Sequence, residues 1–311
     1  MRPCRTSAAP EKTRGKDITN NDRSPTANWP PVLGLCPTYG RFERLRDAAA
    51  CFLLQDYPGR KRLLVLNDAP EPIPADGLPP EITVINRPER YPTLGHKRQA
   101  LLEKATSPPL GGLAAHWDDD DLYLPWHLTE CVRRWAGRPE ARCVKPRSAW
   151  FAVGPRGGFE VRGPRRNVFE GQMLFELGRA LELGGYPPLQ SGQAKALLDA
   201  FRDTGELHTW DPAARRVSYV YRWGDGLCHC SGTGSHAGDA AAHQAANEDH
   251  ADGRSLVPGG HARRWAARRV GLQFRRLARG AAKHLTDGAA RALNEAIQDS
   301  LRLRQRDPAG D

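Results

Sequence analysis

The chain has 311 residues, 39% of them hydrophobic, which allows one large domain with an appendage. The formal net charge is +10, and twelve basic against three acidic residues between 261 and 306 account for nearly all of it. The rest is close to neutral, which disfavours a nucleic-acid-binding core. There is no apolar run near the roughly 20 residues of a membrane span and no apolar secretory segment. Seven scattered cysteines without a CxxC pair favour reduced thiols in a cytoplasmic protein.

The first half of the chain alternates strand and helix patterns. Residues 1–30 are polar and rich in proline, which predicts a disordered leader. Apolar runs and helical spacing then predict a strand at 32–36, a helix at 42–54, strands at 61–66 and 81–86, a helix at 93–105 and a buried strand at 110–117. This alternation indicates an α/β fold of Rossmann type, with a mixed, mostly parallel sheet flanked by helices.

The second half has a less regular pattern. We predict strands at 142–145, 150–153 and 171–176, a helical turn at 180–183 and a helix at 192–201. The resulting organisation is a catalytic-type domain at 31–231, a small, polar linker at 232–260 and a basic, amphipathic helical tail at 261–311. Glycines at 271, 280 and 288 predict breaks in the helical tail.

Four consecutive carboxylates, Asp118 to Asp121, follow the predicted strand that ends near Trp117. Such charges repel one another, so a folded protein keeps them most readily when a cation neutralises the cluster. The carboxyl ends of strands in an open α/β sheet are also where ligands bind. Oxygen ligands at that position suit Mn²⁺ or Mg²⁺ holding a phosphate. The alternative is a solvated acidic turn that caps the next helix.

Other polar residues fall at strand ends or at a helix start. Pro37 and Thr38 follow the first predicted strand, and Asp68 follows the second. Lys97 and Arg98 lie in the first turn of a predicted helix, where cations oppose the helix dipole. Their presence makes sense if an anion also binds that N-terminus, so we predict contacts to phosphate oxygens. The alternative is two surface cations on an exposed helix end.

Seven short motifs follow one another in the first two thirds of the chain. They are Cys36-Pro-Thr-Tyr-Gly-Arg41, Leu53-Leu-Gln-Asp-Tyr-Pro58, Val65-Leu-Asn-Asp68, Leu94-Gly-His-Lys-Arg98, Trp117-Asp-Asp-Asp-Asp-Leu-Tyr-Leu-Pro125, Met173-Leu-Phe175 and Gly184-Gly-Tyr-Pro187. In this order and spacing the set resembles the family 2 glycosyltransferases with the GT-A fold. The resemblance implies transfer of a sugar from a nucleotide-diphosphate-sugar donor, a UDP- or GDP-sugar, to a glycan, lipid-linked or envelope acceptor. It also implies Mn²⁺ or Mg²⁺ as cofactor.

The resemblance implies a role for each matching residue. Donor binding would involve Pro37, Thr38, Tyr39, Arg41, Asp68, Lys97, Arg98, Asp118 and Asp119. Of these, Asp68 would accept a hydrogen bond from the base and Asp118 would lie near the ribose. Asp120, or a neighbour in the run, would hold the metal of the DxD motif, which stabilises charge on the leaving diphosphate. His229 would be a further ligand of the metal, or else a structural histidine in a turn.

One segment departs from the family pattern. Inverting members usually carry a Glu-Asp pair just after the Gly-Gly-aromatic loop, and its Asp is the general base. Here the segment is Leu189-Gln-Ser-Gly-Gln-Ala-Lys195, without a carboxylate. We expect an inverting hexosyltransferase in which Glu170 replaces that base. Glu176, Asp199, a substrate group, a partner subunit, a retaining mechanism or an inactive domain are the alternatives.

The tail and the overall function each have a second interpretation. A basic amphipathic helix at 261–306 can lie on an anionic membrane, as a peripheral enzyme at the inner face would require, or pack on the domain with a solvated basic face. Nucleic-acid binding is disfavoured because aromatic residues for stacking are few.

A catalytically inactive module that binds nucleotide-sugar or a partner is the alternative to an enzyme. A nucleotidyltransferase is disfavoured because its phosphate loop is absent after the first strand.

Overall fold

A computed structural model describes residues 29–106, 112–153, 160–166, 170–223, 256–257 and 261–303. Most of the predicted leader at 1–30 and of the predicted linker at 232–260 lies outside the described residues. His229, the candidate further metal ligand, also lies outside them.

The described residues form eleven strands and seven α-helices. The strands are β1 (Val32–Thr38), β2 (Lys61–Asn67), β3 (Ile82–Asn86), β4 (Leu113–His116), β5 (Leu122–Tyr123), β6 (Cys143–Pro146), β7 (Ser148–Val153), β8 (Glu160–Arg166), β9 (Leu174–Glu176), β10 (Leu207–Trp210) and β11 (Tyr219–Trp223). The helices are α1 (Phe42–Leu53), α2 (Leu94–Thr106), α3 (His127–Ala136), α4 (Leu177–Glu182), α5 (Gln193–Asp203), α6 (Ala262–Ala281) and α7 (Asp287–Leu303). Short 3-10 turns occur at Ala214–Arg216 and Ala282–His284.

The main sheet has seven strands in the order β10-β6-β9-β4-β1-β2-β3. Six of them run in the same direction, and β9 is antiparallel to both of its neighbours, β4 and β6. The prediction of a mixed, mostly parallel α/β sheet flanked by helices is therefore confirmed. The first strands and helices also lie within a few residues of their predicted bounds.

Both faces of the central strands are buried, as a parallel sheet covered by helices requires. Along β1, Val32 and Cys36 face a core that includes α1 and α6, whereas Leu33 and Leu35 face a core that includes α2 and α5. The side chains of β2 alternate between the same two cores. This two-sided burial fixes the register of the strands whose ends form the site described below.

A second sheet, in the order β5-β11-β7-β8, lies beside the carboxylate run. The sequence patterns did not predict β5, β8, β10 or β11. β5 and β11 pair antiparallel and place Tyr219 opposite Tyr123. Because β5 begins directly after Asp121, this pairing holds the C-terminal end of the carboxylate run in place.

The C-terminal tail is helical and packs on the domain. The apolar side chains of α6, including Val270, Phe274 and Leu277, are buried in the core that contains α1. The predicted breaks at Gly271 and Gly280 are wrong, because α6 runs through both. At Gly280 a Cβ atom would lie 2.5 Å from the Val161 side chain, so glycine there permits close packing against β8. The chain breaks at 282–286 instead, between α6 and α7.

No helix within the described ranges combines the length and apolar character needed to span a membrane.

Candidate active site

One cleft lies at the carboxyl ends of β1, β2 and β4. Because these strands are parallel neighbours, the residues that follow them meet at one edge of the sheet. The cleft is open to solvent and has a cavity volume of about 200 Å³. Of the twelve site residues predicted from the sequence, the eleven that the structure describes all line it: Pro37, Thr38, Tyr39, Arg41, Asp68, Lys97, Arg98, Asp118, Asp119, Asp120 and Glu170.

The four aspartates alternate between two environments. The side chains of Asp118 and Asp120 are 21% and 17% exposed, whereas Asp119 and Asp121 are almost fully buried. Asp119 accepts hydrogen bonds from Thr38 Oγ1 at 2.7 Å and from Arg41 Nε at 3.1 Å. The cleft therefore presents a pair of carboxylates separated by one residue, Asp118 and Asp120. Asp119, which the resemblance placed among the donor-binding residues, also lines the cleft, and its buried carboxylate is bonded to Thr38 and Arg41.

Asp121 is tied to the second sheet. Its carboxylate accepts hydrogen bonds from the Arg222 backbone N–H at 2.9 Å and from the Tyr219 hydroxyl. Burial, together with the neighbouring charges of Asp120 and Asp118, raises the pKa of Asp121 to about 8. Asp121 therefore anchors the carboxylate run to β11, although it also borders the cleft.

Protein cations neutralise the exposed carboxylates in this structure. Arg98 Nη2 lies 2.6 Å from Asp118 Oδ1, and Arg41 Nη1 lies 2.8 Å from Asp120 Oδ2. Lys97 Nζ lies 2.5 Å from Asp68 Oδ1 and also donates to the Thr38 carbonyl. Burial lowers the pKa of Lys97, and Asp68 partly offsets that effect. The four aspartates are thus compatible with the fold before any metal binds.

The N-terminus of α2 is not open to an anion, which corrects the expectation from the sequence. The Leu94 N–H donates to Gln190 Oε1 at 3.2 Å and the Gly95 N–H to the Leu189 carbonyl at 2.9 Å. The His96 N–H donates to Thr93 Oγ1 at 3.2 Å. The loop before α5 folds back onto α2 and satisfies these donors, so Lys97 and Arg98 reach the cleft with their side chains alone.

Asp68 and an aromatic-cationic stack form another wall. Asp68 Oδ2 accepts from the Tyr91 backbone N–H at 3.0 Å, which orients the carboxylate at the end of β2. The Arg90 guanidinium carbon lies 4.2 Å from the centre of the Tyr39 ring. We did not predict Arg90, and a lone arginine in a proline-containing loop offers no signal for this role. A flat aromatic face beside a carboxylate suits a nucleobase, which stacks and hydrogen-bonds at once.

Glu170 lies in the cleft beside the aspartate pair. At the next residue, Gly171, a Cβ atom would lie 2.9 Å from Asp118 Oδ2 and 2.5 Å from the Tyr219 hydroxyl, so only glycine allows this approach. Burial raises the pKa of Glu170, and nearby Lys145 opposes the shift. The other two candidate bases, Glu176 and Asp199, do not line the cleft. Glu176 pairs with Arg142, and Asp199 pairs with Lys195 and Arg202 on the surface.

A chain of ion pairs connects the C-terminal tail to the aspartates. Arg269 Nε, on α6, lies 2.7 Å from Asp47 Oδ1, and Asp47 Oδ2 lies 2.8 Å from Arg222 Nη1. Arg222 Nε donates to the Asp120 carbonyl at 2.5 Å. Asp47 is buried, yet Arg222 and Arg269 lower its pKa enough to overcome the effect of burial. The backbone of the metal-binding candidate Asp120 thus depends on a contact that begins in α6.

The carboxylates of the cleft suit a divalent cation that a ligand also coordinates. Among the described residues no three His, Cys, Asp or Glu side chains cluster as a metal site of their own. Asp118 and Asp120 supply hard carboxylate oxygens, and Mg²⁺-like ions are commonly held by one or two carboxylates plus substrate phosphates and water. The residues present therefore suit a metal that binds together with a diphosphate.

No family model matches the sequence, and no curated protein matches it significantly. Solved structures similar to this chain include mannosyltransferase PcManGT from Pyrobaculum calidifontis, in complex with GDP-Man and Mn²⁺. Its TM-score is 0.45 at 18% identity, and the match covers 91% of this chain and 89% of that chain. S. aureus TarS 1-349, in complex with UDP-GlcNAc, has a TM-score of 0.48 at 12% identity and covers 89% of this chain and 91% of that chain. Similarity at this level assigns neither a family nor an activity, so the site itself must carry the functional conclusion.

Proposed function

We propose that this protein is a metal-dependent glycosyltransferase of the GT-A type and of family 2, which moves a hexose from a nucleoside-diphosphate sugar to an acceptor hydroxyl. The observation that carries the proposal is the alternation in the aspartate run. Asp118 and Asp120 are the partly exposed pair in the cleft at the carboxyl end of a central strand, while Asp119 and Asp121 are buried and bonded to other parts of the protein. Two such carboxylates beside cleft-lining cations suit a metal–diphosphate group.

The cleft offers separate contacts for each part of the donor. Asp68 and the Tyr39–Arg90 stack would hold a nucleobase, either uracil or guanine. Asp118 would contact the ribose and Asp120 the metal. When bound, a divalent ion would stabilise the negative charge that develops on the departing nucleoside diphosphate. Arg41, Lys97 and Arg98 would add positive charge on the same side of the cleft.

Glu170 is the proposed general base. It would take the proton from the acceptor hydroxyl as that oxygen attacks the anomeric carbon and the bond to the diphosphate breaks, which inverts the configuration. A raised pKa brings a carboxylate closer to the ideal value for proton transfer near neutral pH. Among Glu170, Glu176 and Asp199, only Glu170 lines the cleft.

A non-catalytic module that binds nucleotide-sugar or a partner is the second candidate. The observation in its favour is the first turn of α5, which lines the cleft without any carboxylate. Incubation with a panel of UDP- and GDP-sugars, with and without manganese, separates the two. An enzyme releases nucleoside diphosphate from one donor when manganese is present. Manganese-dependent binding with no release, even with glycan and lipid-linked acceptors, would favour the module.

We also propose that the exposed basic face of α6 attracts an anionic membrane surface. Most apolar side chains of α6 and α7 pack against the domain, although Leu272 on α6 is 48% exposed, so the charges are the main feature left for this role. The exposed cations are Arg264, Arg268, Arg275 and Arg279 on α6 and Lys283 in the turn that follows it. Such a contact would suit a peripheral enzyme at the inner face of the membrane that acts on a lipid-linked acceptor. Replacing all five with glutamine should abolish binding to anionic vesicles at low salt, and persistent binding would contradict the proposal.

A further inference from the structure

The N-terminus of α5 opens onto the candidate active site. Gln193, Ala194 and Lys195, the first turn of this 11-residue helix, line the cleft. Gly192 precedes them with φ of +77° and offers no side-chain cap. The backbone N–H groups of these three residues have no hydrogen-bond partner in the part of the chain that the structure describes. The N-terminal donors of α2, by contrast, are filled by the 189–190 loop.

Two buried side chains of residues that line this cleft also have unpartnered polar groups. Gln193 is only 5% exposed, and its amide makes no hydrogen bond to any described residue. Arg98 is 7% exposed, and its Nε has no partner there although its Nη2 pairs with Asp118. Buried polar groups in native proteins are nearly always hydrogen-bonded. Unsatisfied donors that face a cleft therefore point to a ligand that supplies acceptor atoms.

The charge around α5 specifies the kind of ligand. The first turn of the helix contains no acidic residue, and the Lys195 ammonium pairs with Asp199 one turn further on. The partial positive charge of a helix N-terminus and its free N–H groups favour a bound anion. A neutral sugar hydroxyl would gain little from this positive electrostatic potential.

We propose that the N-terminus of α5 is an oxyanion subsite for a phosphate or carboxylate group, carried by the acceptor. This deepens the proposed function by assigning an anionic acceptor to a donor-binding cleft. The donor diphosphate already has Asp118 and Asp120, which follow β4, with their paired cations Arg98 on α2 and Arg41 at the start of α1. An anionic group at α5 would orient an acceptor without taking part in proton transfer, which leaves the base at Glu170.

The test uses inorganic phosphate as a probe and Gln193→Glu as the main variant. A carboxylate in the first turn is favourable to the helix dipole, so the helix should persist, yet it should repel a bound anion. We expect phosphate to bind the wild type in the presence of saturating nucleoside diphosphate and manganese. Gln193→Glu should weaken that binding about tenfold and leave the affinity for nucleoside diphosphate unchanged. Gln298→Glu, on α7, is the matched charge control and should change neither affinity.

Each outcome decides a separate question. If Gln193→Glu weakens nucleoside diphosphate binding instead, the anion is the donor's own phosphate and the assignment to the acceptor is overturned. If phosphate does not bind, or binds both variants equally, there is no oxyanion subsite. Phosphate binding to the protein without nucleotide is measured as well, so a failure of donor binding does not hide the result. Lys195→Gln, whose side chain is exposed, provides a second variant should Gln193→Glu unfold, and it should weaken phosphate binding in the same direction.

Discussion

Arg98 and Asp118 form an ion pair in the wall of the cleft, with 2.6 Å between Arg98 Nη2 and Asp118 Oδ1. Arg98 comes from α2 and Asp118 from the end of β4, so the pair joins two elements that meet only in the folded chain. Burial and this carboxylate act in opposite directions on the pKa of Arg98, and the net effect is to raise it. Arg98 is therefore a permanent cation next to the proposed diphosphate position.

Replacing Arg98 with methionine should separate phosphate binding from base binding. The variant keeps most of the aliphatic volume but removes the cation, so affinity for nucleoside diphosphate should fall about tenfold or more while affinity for the nucleoside stays within about twofold. Equilibrium titration with both ligands measures this difference. Arg62→Met, at an exposed arginine, is the control. Equal losses for both ligands would show that the variant disturbs the fold instead of the phosphate site.

Glu170→Gln should abolish turnover without affecting donor binding. Removing a general base costs about 10²- to 10⁴-fold in rate, and the amide preserves the shape of the side chain. Release of nucleoside diphosphate from the donor measures the rate, with Glu89→Gln as the exposed control. An unchanged rate would exclude Glu170 as the base.

The same assignment predicts the direction of a pH effect. A base must be deprotonated, so activity should fall as the pH drops through the raised pKa of Glu170. The Lys145 charge lowers that pKa, so Lys145→Met should move the acidic limb of the rate profile to higher pH. Lys104→Met, on the surface of α2, should leave the limb in place. An acidic limb that does not move would show that Lys145 does not affect the pKa of the base.

Arg269 should matter for both stability and the geometry of Asp120. Arg269→Ala leaves Asp47 with one cationic partner fewer and weakens the hold on Arg222, which should cost about 1–3 kcal/mol of unfolding free energy. Manganese-dependent nucleoside diphosphate binding should weaken as well, because Arg222 bonds to the Asp120 carbonyl. Chemical denaturation and metal titration measure the two effects. Arg268→Ala, the exposed neighbour, should change neither; equal effects from both variants would contradict the proposed chain of ion pairs.

His127 should make folding sensitive to acid. It is buried with Nδ1 2.9 Å from Ser218 Oγ, and burial lowers its pKa to about 3. Between the ordinary value of about 6.5 and that lowered value, only the unfolded chain binds the proton, so this stabilising contribution is complete above about 6.5 and falls with decreasing pH by about 1.4 kcal/mol per unit. His127→Asn can keep the bond to Ser218 but cannot titrate. Denaturation at several pH values should give a wild-type slope larger than the variant's by that amount, and equal slopes would show that His127 is not buried neutral.

Much of the site was predictable because it depends on local sequence. Strands β1, β2 and β4 are short apolar runs buried on both faces, and the polar residues directly after them must meet at one sheet edge. That reasoning located Thr38, Asp68 and the aspartate run. It could not tell Asp118 from Asp119, since which carboxylate faces the cleft depends on Arg41, Tyr219 and other partners distant in sequence.

The parts of the fold and of the site that we did not predict depend on contacts between residues distant in sequence, which a local sequence pattern does not reveal. β11 forms because it pairs with β5 and β7, which are distant from it in sequence. The ion-pair chain joins Asp47, Arg222 and Arg269 across more than two hundred residues. Gly271 and Gly280 suggested helix breaks because glycine disfavours an isolated helix, yet tertiary packing against Val161 and Leu301 keeps α6 continuous.

The most direct test of the account is a calorimetric titration of UDP and GDP into the wild type and Asp120→Asn, with and without manganese. Asp76→Asn, at an exposed aspartate, serves as the control. The account predicts that one nucleotide binds the wild type and the control at least about tenfold more tightly with manganese, and that Asp120→Asn loses this enhancement while remaining folded. Manganese-dependent binding that survives in Asp120→Asn would contradict the metal–diphosphate assignment. If neither nucleotide binds the wild type, the cleft is not a nucleotide-sugar site.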